Sequence, residues 1–270
     1  MSLLTEVKNG PKLVELLDSG IYNSCLLPFW HGVGDVVMVL PIITALRAKY
    51  PNIKIDLGLC RGLDQETFVP DAVLLDGDWR EKWKDLGYDL VYALNFPLED
   101  PSDTKLTKAE QCCVQEIGIA PVCGHLPLKS KPLCGVTFQM TSVPWVANAD
   151  PEVAEKIWND IKEAGFVPIE LHFHHVFDNP TNVKYPFVDT HVRDIAPKIE
   201  TLMALLNKCD YFVGTVGGVF HMALSVMGPE RVMLLEKDLK KEHFTKSPIA
   251  TADLKNYTRE VLNWLRSKHG

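Results

Sequence analysis

The stretch from Ser24 to Pro51, SCLLPFWHGVGDVVMVLPIITALRAKYP, constrains the fold more than any other part of this chain. Cys25 to Phe29 reads as a buried strand. His31-Gly32-Val33-Gly34-Asp35 reads as a glycine loop closed by an acid. A helix follows, apolar at Val36, Val37, Val39, Leu40, Ile43 and Leu46 and basic at Arg47 and Lys49 before Pro51. Strand, glycine loop and helix make the first half of a βαβ unit, which commits the chain to a parallel sheet. Such a helix opens with free backbone N–H groups and the positive end of its dipole, so a polar or anionic ligand is expected at the turn, with Asp35 facing it. The loop is not a dinucleotide fingerprint, because GxGxxG needs a third glycine where Val37 stands.

The same grammar repeats along the chain. Ile53 to Leu59 alternates as a second strand, Ala72 to Leu75 is a short third, and Tyr88 to Leu94 is a fourth that ends at Asn95. A short helix from about Pro11 to Asp18 precedes them, and Thr107 to Ile117 reads as a helix closed by Gly118. Pro121 to Pro132 carries three prolines and no periodicity, and is read as a linker. The pattern then restarts with strand Gly135 to Gln139, loop Met140 to Asp150, and a helix from Pro151 to Ala164. That helix has Asp150 as its N-cap and Gly165 just past its end. Strand Val167 to His172, a strand-like Phe187-Val188, helix Lys198 to Lys208 and strand Tyr211 to Val213 follow. A second glycine turn, Gly214 to Gly218, opens a helix from Val219 to Met227, and strand Arg231 to Leu235 comes next. The chain closes with Thr251 to Lys268, read as a helix crossing back to the first half. The expected organisation is α/β, with Rossmann-like domains over 1–128 and 129–250 and a crossing helix over 251–270.

Composition narrows the setting. The 270 residues suit two cores of roughly 130 each. No apolar run reaches the roughly 18 residues that span a bilayer, and the first twenty positions lack a signal-peptide core, so no transmembrane segment is expected. Seven cysteines without a CxxC pair suggest neither a disulfide framework nor a zinc site. A cytosolic protein fits, or one held at a membrane surface without spanning it. The net charge of −7 disfavours nucleic acid as a partner and leaves room only for a local basic patch.

Gly32-Val33-Gly34-Asp35 with its proline-containing helix, Ile53 to Leu57, the strand YDLVYAL, Cys209 to Gly214, and Gly217-Gly218-Val219-Phe220-His221-Met222-Ala223 occur in an order that resembles glycosyltransferase family 9, the ADP-heptose:lipopolysaccharide heptosyltransferases. The resemblance runs from about Cys25 to Leu235. It implies a GT-B fold and inverting, metal-independent sugar transfer, with no cofactor beyond the donor substrate. The first domain would bind a saccharide or other hydroxyl acceptor, with Gly32, Gly34 and Asn95 at that site. The second would bind a nucleoside-diphosphate sugar. By the same resemblance Asp35 is the base that deprotonates the acceptor; its local reading is a helix-capping acid. Gly217, Gly218 and His221 would face the donor diphosphate, Thr141 and Ser142 would donate to its phosphates, and Glu236 would hold ribose hydroxyls. Read locally, Gly217-Gly218 is equally a tight turn, His221 a packed side chain, and Thr141-Ser142 ordinary loop polarity.

Three departures matter. Val216 replaces the acid of the family's D-[ST]-G motif, the basic residue usual after the Thr141-Ser142 region is missing, and the chain is short for the family. Lys237, Lys240, Lys241 and Lys246 form a basic run that could restore the lost charge, or be a solvated surface. Three alternatives stay open: transfer to another acceptor, such as a hydroxylated base in viral DNA; a non-catalytic nucleotide- or sugar-binding module; and a nicotinamide oxidoreductase. His172, His174 and His175 lack a partner carboxylate or cysteine at ligand spacing, and Trp79, Trp83 and Trp145 are read as packing residues.

Overall fold

A computed structural model of the chain describes residues 3–6, 13–29, 33–59, 72–75, 77–94, 132–139, 148–171, 185–188, 199–237 and 249–269. The chain divides into two compact units, Met1–Ile117 and Gly118–Gly270. The expected helix at Thr107 to Ile117, and the expected linker up to its last residue, Pro132, lie outside the described residues. No helix among the described residues is long and apolar enough to cross a membrane.

In the first unit, strands β1 (Leu3–Glu6), β2 (Ser24–Phe29), β3 (Lys54–Leu59), β4 (Val73–Leu74) and β5 (Leu90–Ala93) form one parallel sheet in the order β1-β5-β2-β3-β4. Short α1 (Leu13–Asp18) connects β1 to β2, and α2 (Val33–Lys49) connects β2 to β3. The all-apolar reading of β2 holds because the strand is central: Cys25, Leu26 and Leu27 are all fully buried. Strand β3 alternates as expected, with Ile55 and Leu57 buried and Asp56 between them half-buried. Helix α2 turns Val36, Val39, Leu40, Ile43 and Leu46 into the core, and Arg47 Nε donates to the Ile55 carbonyl at 2.8 Å. Strand β1 is not anticipated by the sequence pattern. Its four residues are too few to show a period, and the strand is defined by its pairing with β5 from Leu3↔Leu90 to Glu6↔Ala93.

In the second unit, β6 (Leu133–Thr137), β7 (Val167–Glu170), β8 (Tyr211–Thr215), β9 (Val232–Glu236) and β10 (Ala250–Asp253) form a parallel sheet in the order β10-β9-β8-β6-β7. Its helices are α3 (Pro151–Glu163), α4 (Ile199–Lys208), α5 (Gly218–Met227) and α6 (Glu260–His269). Alternation along β8 shows the layering. Val213 joins a buried cluster with Ala154, Ile157, Trp158 and Ile161 of α3 and Val261 and Leu265 of α6. Phe212, facing the other way, has its ring centroid 6.4 Å from that of Phe220 on α5. Phe187-Val188 is not a strand; Pro186 and Phe187 form a turn whose ring packs beside Tyr185 at 5.4 Å and Trp158 at 5.8 Å.

Helix α3 ends in a Schellman motif. Gly165, at φ 93°, donates to the Lys162 carbonyl at 3.0 Å and Phe166 to that of Ile161 at 3.1 Å, so the predicted terminal glycine sits where only glycine is unstrained. The expectation of one long helix from Thr251 to Lys268 is corrected in its extent. Ala250 to Asp253 is the edge strand of the second sheet, and only Glu260 to His269 is helical. Helix α6 is fastened to α3. Buried Asp160 accepts from Arg259 Nε at 2.9 Å and Nη2 at 2.7 Å through one oxygen and from Tyr257 Oη at 2.7 Å through the other. Arg259 bridges on to Glu163, which also takes Arg266 at 2.9 Å. Arg259 adopts φ 71°, a strained backbone that this clamp holds in place. Replacing Asp160 by Ala leaves two donors without their acceptor and is expected to cost about 3 kcal/mol in urea denaturation of the second unit. Glu163→Ala, at the exposed end of the same network, is expected to cost little, and equal costs would show that burial of Asp160 is not what matters.

Candidate functional site

The strand orders put the reversal of winding between β2 and β5 in the first unit and between β6 and β8 in the second. At such a switch point the crossover helices leave in opposite directions, and a crevice opens beyond the carboxyl ends of the two strands. Both glycine turns of the sequence follow a switch-point strand. The first connects β2 to α2, the second β8 to α5.

In the second unit the crevice is built from the ends of β6 and β8. Thr137 pairs with Gly214, whose missing side chain is required: a Cβ there would stand 2.5 Å from Thr137 Cγ2 and 2.6 Å from the Phe212 ring. Strand β8 runs two residues further than the sequence suggested, through Thr215. Val216 and Gly217 make the turn, and α5 begins at Gly218. Gly217 occupies the N-cap position and offers no side chain to cap the helix. The first helical bond runs from the His221 N–H to the Gly217 carbonyl at 3.1 Å, so the amides of Gly218, Val219 and Phe220 have no helical acceptor. Gly217 and Gly218 are thus the N-cap and the first residue of α5.

His221 lies in the first turn of α5, 4% exposed, its ring edge-on to Phe220 at 5.7 Å. Burial pushes its pKa down to about 4, so the imidazole is neutral at physiological pH and retains one ring N–H to donate. Thr215 is fully buried, and its Oγ1 has no hydrogen-bond partner among the described residues. The indole N–H groups of Trp79 and Trp158 share that condition. Thr215 was not singled out from sequence; the signal would have been a strand continuing to the edge of the glycine turn.

Asp150 has the extended backbone of an N-cap, at φ −66° and ψ 143°, but its side chain makes no capping bond. It accepts instead from Lys237 Nζ at 3.1 Å. Asp150 thus holds the predicted N-cap position, while its carboxylate bonds the lysine and not the amides of α3. Glu236 ends β9, half-buried, with its backbone carbonyl taking the Leu254 N–H at 2.8 Å. The loop between β6 and α3 is closed at its base by the Ala149 N–H donating to the Phe138 carbonyl at 2.9 Å. Thr141 and Ser142, within that loop, lie outside the described residues.

In the first unit α2 begins at Val33, so Gly34 and Asp35 are part of its first turn and do not form a loop ahead of it. Gly34 is buried. The Leu94 N–H donates to the Pro28 carbonyl at 2.8 Å, which brings the end of β5 beside that of β2. Gly32, Asn95 and the side chain of Asp35 lie outside the described residues.

No protein-family model matches the chain, and no curated protein sequence does. Solved structures do. ADP-heptose lipopolysaccharide heptosyltransferase II of E. coli superposes with a TM-score of 0.61 at 12% identity, over 91% of this chain and 99% of that one. E. coli heptosyltransferase WaaC, solved with ADP-2-deoxy-2-fluoro heptose, gives 0.55 at 11% identity over 92% of this chain and 100% of that one. A glycosyltransferase of family 9 from Veillonella parvula DSM 2008 gives 0.53 at 13% identity, over 79% and 80%. At these identities the likeness establishes the fold, which is α/β of the GT-B kind, with two Rossmann-like parallel-sheet units.

The depressed histidine sets a pH signature. Above about pH 6.5 His221 is neutral in folded and unfolded chains alike and contributes no pH dependence. Below it only the unfolded chain gains the proton, so stability is lost as the pH falls from about 6.5 towards 4. Urea denaturation at about pH 4.5 should find His221→Gln spared about 2–3 kcal/mol of the loss that the unmodified chain suffers relative to pH 7. Parallel pH profiles for the two would mean that the imidazole is not held neutral by burial.

Proposed function

We propose that the protein is a glycosyltransferase that moves a sugar from a nucleoside diphosphate to an acceptor hydroxyl, with inversion and without a metal. One observation carries this reading. The second unit ends its switch-point strand in an uncapped, side-chain-free helix N-terminus, in a fold in which WaaC holds ADP-2-deoxy-2-fluoro heptose. Three amides without a helical acceptor, together with the helix dipole, suit the charge that develops on a departing diphosphate. Neutral His221 adds a donor at the same turn. Glu236, at the end of β9, is suited to ribose hydroxyls, and Thr141 and Ser142 to the phosphates.

Asp35 is the proposed base. It takes the proton of the acceptor hydroxyl, the oxygen attacks the anomeric carbon, and the bond from that carbon to the diphosphate oxygen breaks on the opposite side. The acceptor would sit at Gly32, Gly34 and Asn95. An acid in the first turn of α2 is also what a helix dipole favours, so Asp35 can serve the helix and the reaction together. Val216 removes a polar contact to the donor, which argues for a donor other than ADP-heptose. A nucleic-acid acceptor is not favoured at a net charge of −7.

Thermal-shift screening against ADP, UDP, GDP, CDP, dTDP and their sugars should single out one nucleotide. With that donor, Asp35→Ala should lower turnover by roughly a hundredfold or more while donor affinity stays within about threefold. Silence across the panel would contradict the transferase reading. Donor binding without turnover in the unmodified protein would favour the binding module.

A further inference from the structure

We propose that Lys237 is the cation that holds the donor's diphosphate, and that in the free protein Asp150 keeps it across the seat the diphosphate takes. This rests on the transferase reading above. Three observations converge on the end of β8. In sheet order β8 lies between β9 and β6. Lys237 stands two residues beyond Leu235, the register partner of Thr215. Asp150 follows Ala149, which is hydrogen-bonded to the end of β6. The 3.1 Å bridge from Lys237 Nζ to Asp150 Oδ1 thus runs from one neighbour of β8 to the other, over its carboxyl end.

Thr215 lies under that span. It is two residues on from Val213 and so shares its face, the face that packs against Ala154, Ile157 and Trp158 of α3. Its hydroxyl is fully buried without a partner among the described residues, next to a helix, α5, whose first amides are uncapped. A buried hydroxyl left unpaired is costly, and an arriving phosphate oxygen would remove that cost. The remaining side chains of this edge are largely acidic: Glu236 ends β9, Asp253 ends β10, and buried Glu170 ends β7. A diphosphate entering such a field needs a positive charge, and the family's basic residue is absent from the loop after β6. The Lys237 side chain is 23% exposed, more enclosed than a solvated surface lysine, and in reach of the site.

The exchange leaves Asp150 provided for. Its backbone already has N-cap geometry, so the carboxylate, once released, can turn to the free amides at the start of α3. Lys237 moves from a carboxylate to a phosphate, and Asp150 from a lysine to a helix N-terminus. Each charge keeps a partner.

Isothermal titration with pyrophosphate, and with the nucleoside diphosphate giving the largest heat, tests this on the full chain. Lys237→Met should weaken both by about tenfold or more, and Lys237→Arg should restore affinity to within about threefold. Asp150→Asn, which frees the lysine, should tighten both by about twofold to fivefold. Should Lys237→Met not fold, the Asp150→Asn result decides alone. Unchanged affinity in both Lys237→Met and Asp150→Asn, with equal losses of thermal stability, would make the bridge a structural tie and overturn the proposal. If the unmodified protein binds neither pyrophosphate nor any nucleoside diphosphate, the transferase reading fails and this assignment fails with it.

Discussion

A parallel sheet wound outward in both directions from one strand has to leave a gap where the winding reverses, and the proposed site follows from where those gaps fall. In each unit one of the two strands that flank the reversal, β2 in the first and β8 in the second, leads directly into a helix N-terminus. Parallel pairing sets the carboxyl ends of the flanking strands side by side: Leu94 beside Pro28 in one unit, Thr137 beside Gly214 in the other. Glycine is needed at 214 for packing reasons alone, since any Cβ would collide with Thr137 and Phe212. The sequence cue for phosphate and the steric demand of the sheet coincide there. That is why a glycine pattern by itself is weak evidence and its place in the topology is stronger.

The second unit treats its buried polar groups unequally. At the back, Asp160 has both carboxylate oxygens engaged by Arg259 and Tyr257, fixing α6 on α3 so firmly that Arg259 tolerates a left-handed backbone. At the carboxyl edge the Thr215 hydroxyl has no partner among the described residues, α5 has no side-chain cap, and Asp150 stands in N-cap position without a capping bond. Polar groups left without an internal partner at the carboxyl edge are what the proposed donor site would satisfy.

Much of this was legible in the sequence. The buried strands Cys25 to Phe29 and Tyr211 onward, the helix start at Pro151 and the glycine stop at 165 rest on local chemistry and fell within a residue or two of their observed bounds. What escaped was non-local. Strand β1 is defined by a partner 87 positions away, and β10 by its pairing with β9 across a long connection, so neither carries a signal in its own four residues. Asp150 satisfied every local criterion for a cap, yet a lysine 87 residues later took its side chain. Thr215 was hidden because a strand's last residue is set by how far its neighbours run.

The central claim is that the donor's phosphates sit on the amides at the β8–α5 turn. Backbone amide NMR of the labelled protein, titrated with the nucleoside diphosphate that stabilises it, reads this directly. The amide resonances of Gly218, Val219 and Phe220 should move strongly downfield and in step, as N–H groups do on gaining an anionic acceptor, with Lys237 close behind. Saturable binding that leaves these amides in place would contradict the account.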